Sequence, residues 1–437
     1  MRDLLLAALL LVACVRALRA PWIGILAWTV VSIMNPHKLS WVLDQMPVAA
    51  MVGGATLVGI LFSKDRKSFP WGPETLTLLM MMLWFTLTSR LAPIPDDALD
   101  LWKKVIKIDF MILVAIWVLY SRRHIMALAA ALAISIGFYG FKGGIFTITT
   151  GGSFRVWGPE GSYIEGNNEI ALALVVTIPL LRFLQLHVAN QWVKVLLVAT
   201  QLLSAVAAIG TQSRGALLAL GSMSVMLWWR GNKKIKTGMG MLLVGIFLIA
   251  FMPAEWGERM NTINSYEEDG SAMGRINAWW MAWNLASDHF FGGGFDVTTE
   301  ENFLRYAPVA HDLHAAHSIY FQILGEHGFM GLMLFIMLWL FTWISAGRLH
   351  RLGTDRPETG WLSDLGGMCQ VSLVGYAVGG AFLSLAYFDL PYNIMVLVVL
   401  GKAWHAREAG AAEAVSTTSL VRRHDPTSTE RWSTRIG

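Results

Sequence analysis

From its first residue the chain alternates long apolar runs with short polar interruptions. Residues 75–88, 110–120, 170–181 and 239–252 contain no charged side chain. Each reads as the centre of a membrane span, because crossing about 30 Å of hydrocarbon takes roughly 20 apolar residues at helical rise. Hydrocarbon offers no water to backbone N–H and C=O groups, so these runs are predicted to be helices and not open strands. Candidate spans fall at 3–18, 21–35, 46–62, 72–89, 104–120, 124–141, 167–186, 193–211, 214–230, 236–252, 317–346, 364–385 and 389–405. The pattern predicts an all-α polytopic membrane protein of about 12 transmembrane helices, with the first pair shortened by Arg16 and Arg19.

The polar interruptions differ in kind. Residues 63–67, 121–124, 230–236 and 348–356 are rich in lysine and arginine. Short basic loops stay in the cytoplasm, so the loops between them are placed in the periplasm. Those loops are the acidic stretch 90–100, the glycine- and aromatic-rich stretch 140–166, and the long loop 253–316. The chain divides accordingly into transmembrane helices over 1–252, a long periplasmic loop over 253–316, C-terminal transmembrane helices over 317–405, and a polar cytoplasmic tail over 406–437 that lacks periodicity and reads as disordered. The long loop carries its own helix signal after Ser271, with Trp279, Trp280 and Trp283 spaced to share a face, and it breaks at Gly292-Gly-Gly.

Composition narrows the class. Of 437 residues 55% are hydrophobic and 15% charged, against about 25% charged in a soluble domain. The 20 tryptophans suit the membrane interface. The net charge of +4 is explained by the basic short loops and not by nucleic acid. Cys14 and Cys369 lie inside apolar runs and read as small buried hydrophobes. The apolar start of the chain is followed by no small-residue cleavage site and reads as a retained segment. No 20–50-residue repeat appears, which argues against a solenoid or an inverted-repeat transporter. No Walker A, GxSxG or dinucleotide fingerprint is present.

The polar residues able to carry chemistry gather on the periplasmic side of this topology. His311, His314 and His317 stand where the long loop meets the next span. On a helix His314 and His317 share a face, with His311 a turn further back. The zinc alternative has no HExxH spacing to support it, and no metal is expected. His317, beside Ser318 and Tyr320 at the membrane boundary, is the imidazole placed to take a proton from a hydroxyl. Arg214 lies in a turn between two spans so short that it stays at the surface. A periplasmic arginine runs against the positive-inside trend, and its two readings are a snorkelling helix end or a guanidinium held for a phosphate. Arg275 in the long loop, with Arg155 and Lys142 in the glycine-rich stretch, supplies further cations. Several cations on one face suit a diphosphate, whose departing charge they would stabilise. Asn167, Glu165 and Glu169 flank the start of a span, where a carboxylate serves as a helix cap.

The order of these motifs resembles a known family. Ser213-Arg-Gly215 between spans is followed by Gly274-Arg275 before tryptophans and a triple glycine, then by Ala316-His-Ser-Ile-Tyr320 and Gly325-Glu-His-Gly-Phe-Met-Gly331. Over roughly 160–400 the chain resembles the O-antigen ligase and polymerase superfamily, and residues 34–41 (Met-Asn-Pro-His-Lys-Leu-Ser-Trp) are similar to members associated with exosortase systems. The resemblance implies a GT-C-like glycosyltransferase of the bacterial inner membrane acting in lipopolysaccharide biosynthesis, with no cofactor. It implies inverting, metal-independent transfer of an O-antigen glycan from undecaprenyl diphosphate to a lipid A-core sugar hydroxyl. Arg214, Arg275 and His317 take the positions of that family's essential residues, with Arg155, Lys142, His314, His311, Asn167 and Tyr320 as substrate-binding candidates. Two other readings share the architecture: an O-antigen polymerase or protein O-oligosaccharyltransferase using the same donor, and a transporter or flippase of lipid-linked glycan. A transporter places its ionisable residues in mid-span, whereas these cluster at one face.

Overall fold

Apolar sequence that must satisfy its own backbone groups folds here predominantly as helix. The computed structural model describes residues 2–63, 68–92, 95–231, 234–254, 256–257, 270–354 and 357–423, and among them no strand occurs. Residues 64–67 of the expected basic loop, part of 230–236 and 348–356, much of 253–269 and the end of the tail lie outside the described residues. The helices are α1 (Arg2–Arg19), α2 (Pro21–Met34), α3 (Val48–Phe62), α4 (Pro73–Arg90), α5 (Pro95–Val118), α6 (Arg122–Thr149), α7 (Asn167–His187), α8 (Gln191–Gly210), α9 (Arg214–Arg230), α10 (Lys234–Phe251), α11 (Gly270–Asp288), α12 (Glu300–Tyr306), α13 (Ile319–Leu352), α14 (Gly360–Gly380) and α15 (Asp389–Arg423).

Four of them, α6, α7, α8 and α13, are both long and apolar enough to cross a membrane by length and composition; α2 and α3 are apolar but shorter. The centre of the bundle is α7, whose residues from Ile170 to Leu181 are almost all buried. It is enclosed by α6, α8, α9 and α14. Ser372 of α14 donates to the Val176 carbonyl across this contact (2.8 Å). Inside a low-dielectric core such a hydroxyl must find a partner.

Two local outcomes differ from the sequence pattern. The stretch 140–166 was expected as one glycine-rich loop, but α6 continues to Thr149. Its glycines are a packing surface: a Cβ at Gly140 would collide with Ser204, and one at Gly144 with the Leu203 backbone, so α8 approaches too closely for any side chain. The other outcome concerns α13, which is broken at Gly328 (φ 66°, ψ −174°), a conformation essentially confined to glycine. The Phe290 carbonyl occupies the space a Cβ would need there.

Contacts sort the connections into two ends. At one end loop 150–166 touches the α8–α9 turn and Met252, the α4–α5 connection touches Gly294, and residues 381–384 touch α9 and His317. At the other, Lys402 of α15 pairs with the buried Glu74 of α4 (2.9 Å) and donates to Ser345 of α13 (2.8 Å). The His187–Asp364 pair (3.2 Å) lies at this second end.

Candidate functional site

The α8–α9 turn is held on three sides. Gln212 takes a left-handed backbone (φ 57°) and its side chain is half-buried. Its amide donates to the Gly152 carbonyl (3.2 Å) and its oxygen accepts from Arg155 Nε (3.3 Å). Asn167, at the start of α7, donates to the Thr211 carbonyl (2.9 Å). Ser213 then caps α9, its hydroxyl accepting from the Ala216 amide (3.3 Å). Arg214 is thereby the first residue of a helix, where unsatisfied N–H groups and the macrodipole already favour an anion. Gly215 packs against Phe382 and Leu383.

The neighbour of Leu383, Ser384, brings in the histidine segment, its hydroxyl lying 3.5 Å from His317 Nδ1. His317 has φ 43°, an uncommon conformation for a residue with a side chain. Glu169, one turn into α7, points toward it, with 3.9 Å between Oε1 and His317 Nδ1. Arg275 stands close enough to act electrostatically on both Glu169 and His317. Burial first, then the positive fields of Arg275 and His314, push the His317 imidazole down to about 4. At neutral pH it is therefore uncharged, with a lone pair available.

The histidine segment corrects an expectation. Residues 307–318 are not helical, so His314 and His317 do not share a helix face. The segment is instead laced to α11. Asn277 donates to the carbonyls of Val309 (2.8 Å) and Asp312 (3.0 Å) and accepts from the Val309 amide (2.9 Å). Trp279 Nε1 donates to the Ala316 carbonyl (2.6 Å). These bonds satisfy backbone that a helix would have satisfied. The His314 ring fills the space above Gly274, where a Cβ would collide with it, and its Nδ1 lies 2.8 Å from Asp312 Oδ1.

Of the expected residues, Arg155, Asn167, Arg214, Arg275, His314 and His317 meet at one end of the bundle. Lys142 does not sit in a loop; it is exposed within α6. His311 is exposed in a turn. Tyr320 donates to the Ala377 carbonyl (2.9 Å), a tie between α13 and α14 that occupies its hydroxyl. Asn167 is likewise committed to holding the turn. Among the described residues no three histidine, cysteine or carboxylate groups converge as a metal centre would require. Two neighbours were missed: Glu169, which the sequence offers as a helix cap, and Ser384, which no sequence signal marks.

Chemically, the cluster joins a helix N-terminus, three guanidinium groups and a neutral imidazole backed by a carboxylate. Residues 1–189 match a family of unknown function (DUF5935). No curated protein matches the chain. Residues 199–336 match the family described as O-antigen ligase, and this segment contains Arg214, Arg275, His314 and His317. Over that segment the chain is similar to the O-antigen ligase family.

Proposed function

We propose that the protein transfers an O-antigen glycan from undecaprenyl diphosphate to a sugar hydroxyl of lipid A core, at the periplasmic face of the inner membrane. The observation that carries this reading is the meeting of Arg214, Arg275, Arg155 and His317 at one end of the bundle, although they arise from four separate stretches. Arg214 and Arg275 hold the diphosphate bidentately, and Arg155 adds charge from the loop that Gln212 anchors.

In the proposed step the acceptor oxygen attacks the anomeric carbon opposite the diphosphate. The bond from that carbon to the phosphate oxygen breaks, its electron pair leaves with the diphosphate, and the configuration inverts. The hydroxyl proton passes to His317 Nε2, while Nδ1–H faces Glu169. A carboxylate in that position fixes the tautomer and stabilises the imidazolium as it forms. An imidazole with a pKa near 4 is a weak base, so the proton moves only as attack makes the oxygen acidic. The arginines stabilise the charge that accumulates on the leaving group. The reaction asks for no metal or cofactor.

The same donor chemistry serves an O-antigen polymerase or a protein O-oligosaccharyltransferase, which differ only in the acceptor. The test is to incubate the purified protein with a lipid-diphosphate glycan and, separately, lipid A core or an acceptor peptide. Glycosylated lipid A core is the expected product. Product on the peptide alone reassigns the acceptor, and movement of intact lipid-linked glycan across vesicles without product identifies a transporter.

A further inference from the structure

The N-terminal region matched to a family of unknown function has a second feature, a lateral groove of about 560 Å³ between α2, α3, α5 and loop 150–166. Its floor is apolar, formed by Trp28, Leu57, Ile108 and Met111. Its rim carries Lys103, Lys104 and Lys107 of α5 together with His37 and Tyr163.

The lysines lie about 12–18 Å along α5 from its start at 1.5 Å per residue. Amines on a helix flanked by hydrocarbon are costly and mark a polar partner. The protein neutralises them only in part. Lys103 pairs with Asp100 (2.8 Å), whose side chain is 85% exposed, so solvent screens the pair. Lys104 Nζ stands 3.8 Å over the Tyr163 ring and feels the buried Asp389. Lys107 is exposed. Among the described residues two buried atoms on residues lining the groove, the Tyr163 hydroxyl and His37 Nδ1, have no hydrogen-bond partner.

We infer that this groove binds a membrane lipid with a phosphate head, its hydrocarbon on the apolar floor and its phosphate against Lys103, Lys104 and Lys107. An apolar trough closed by cations matches both halves of such a molecule. The site uses none of the residues assigned to glycan transfer, so the two readings stand or fall separately.

The test uses the full-length protein in neutral detergent, with fluorescent phosphatidic acid as the probe, diacylglycerol of the same chains as the headless control, and inorganic phosphate as competitor. Phosphatidic acid is expected to bind more tightly than diacylglycerol. Its binding should weaken about tenfold or more in the combined variant Lys103→Gln, Lys104→Gln, Lys107→Gln. The variant Gly54→Leu, whose Cβ meets open space at the groove, should weaken both lipids while leaving thermal unfolding unchanged. Millimolar inorganic phosphate should fail to displace the probe. Wild-type affinity in both variants overturns the site, equal binding of diacylglycerol removes the phosphate from the recognition, and full displacement by inorganic phosphate makes the site one for free phosphate.

Discussion

Glu169 and His317 face each other across 3.9 Å, one from the first turn of α7 and the other from the stretch leading into α13. That separation exceeds a hydrogen bond; in the proposed step the carboxylate closes on the ring as the ring gains a proton. Arg275 acts on both. His317→Ala is expected to abolish transfer while the protein still reaches the membrane; Glu169→Gln should lower kcat more than it raises KM, because the carboxylate is needed only when positive charge develops on the imidazole. Full activity in the alanine variant would remove His317 from the mechanism.

Acid should inactivate late. Because the His317 pKa is depressed to about 4, kcat/KM is expected to stay flat from pH 8 to about 5 and to fall only through that value. The stability sign runs the same way: between the folded value near 4 and the unfolded value near 6.5 the unfolded chain binds more protons. Stability therefore rises with pH across that window and is lost as pH falls through it. A pH-rate profile breaking near 6.5 contradicts this environment.

Arg214→Lys should be almost as harmful as Arg214→Ala in a transfer assay. A lysine keeps the charge at the head of α9 but cannot present two parallel N–H donors to a phosphate, a difference worth roughly a tenfold to hundredfold loss in kcat/KM. Normal turnover with lysine assigns Arg214 to a structural role.

Transfer is expected to proceed unchanged in EDTA, since the arginines and the helix N-terminus do the electrostatic work proposed here. Loss of product in chelator, restored by one specific divalent ion, would revive the histidine metal site.

Gly328→Ala should destabilise the fold. The φ of 66° and ψ of −174° cost a residue with a side chain on the order of 1–3 kcal/mol, and the added methyl also meets the Phe290 carbonyl. Thermal unfolding of the purified variant should fall clearly below the wild type. Gly221→Ala on α9, where a Cβ meets nothing, is the control and should be neutral or slightly stabilising.

Much of the helical layout was legible because apolar runs of span length leave the backbone no other partner. The runs at 46–62, 72–89, 167–186 and 214–230 appear as α3, α4, α7 and α9 within two residues. Glycine misled twice, in opposite senses: at Gly140 and Gly144 it reads as a breaker but serves close packing inside α6, whereas Gly328 sits in an apolar run and breaks α13. The histidine spacing of three looked helical, and tertiary bonds from Asn277 and Trp279 overrode it. Arg214, Arg275 and His317 drew attention because the expected topology gathers them on one side, although a snorkelling or solvated side chain was an alternative reading for the arginines. Ser384 had no such contrast, since its place beside His317 comes only from how residues 381–388 fold back.

The lacing of residues 309–316 by Asn277 and Trp279 makes helix α11 and the histidine segment a single cassette. Deleting one residue between Val309 and Ala316 would shift the imidazole out of register with its partners while leaving every membrane helix in place. Chimeras that graft this region from a relative must therefore carry 270–318 together, and a swap of the histidine stretch alone will produce a folded but silent protein.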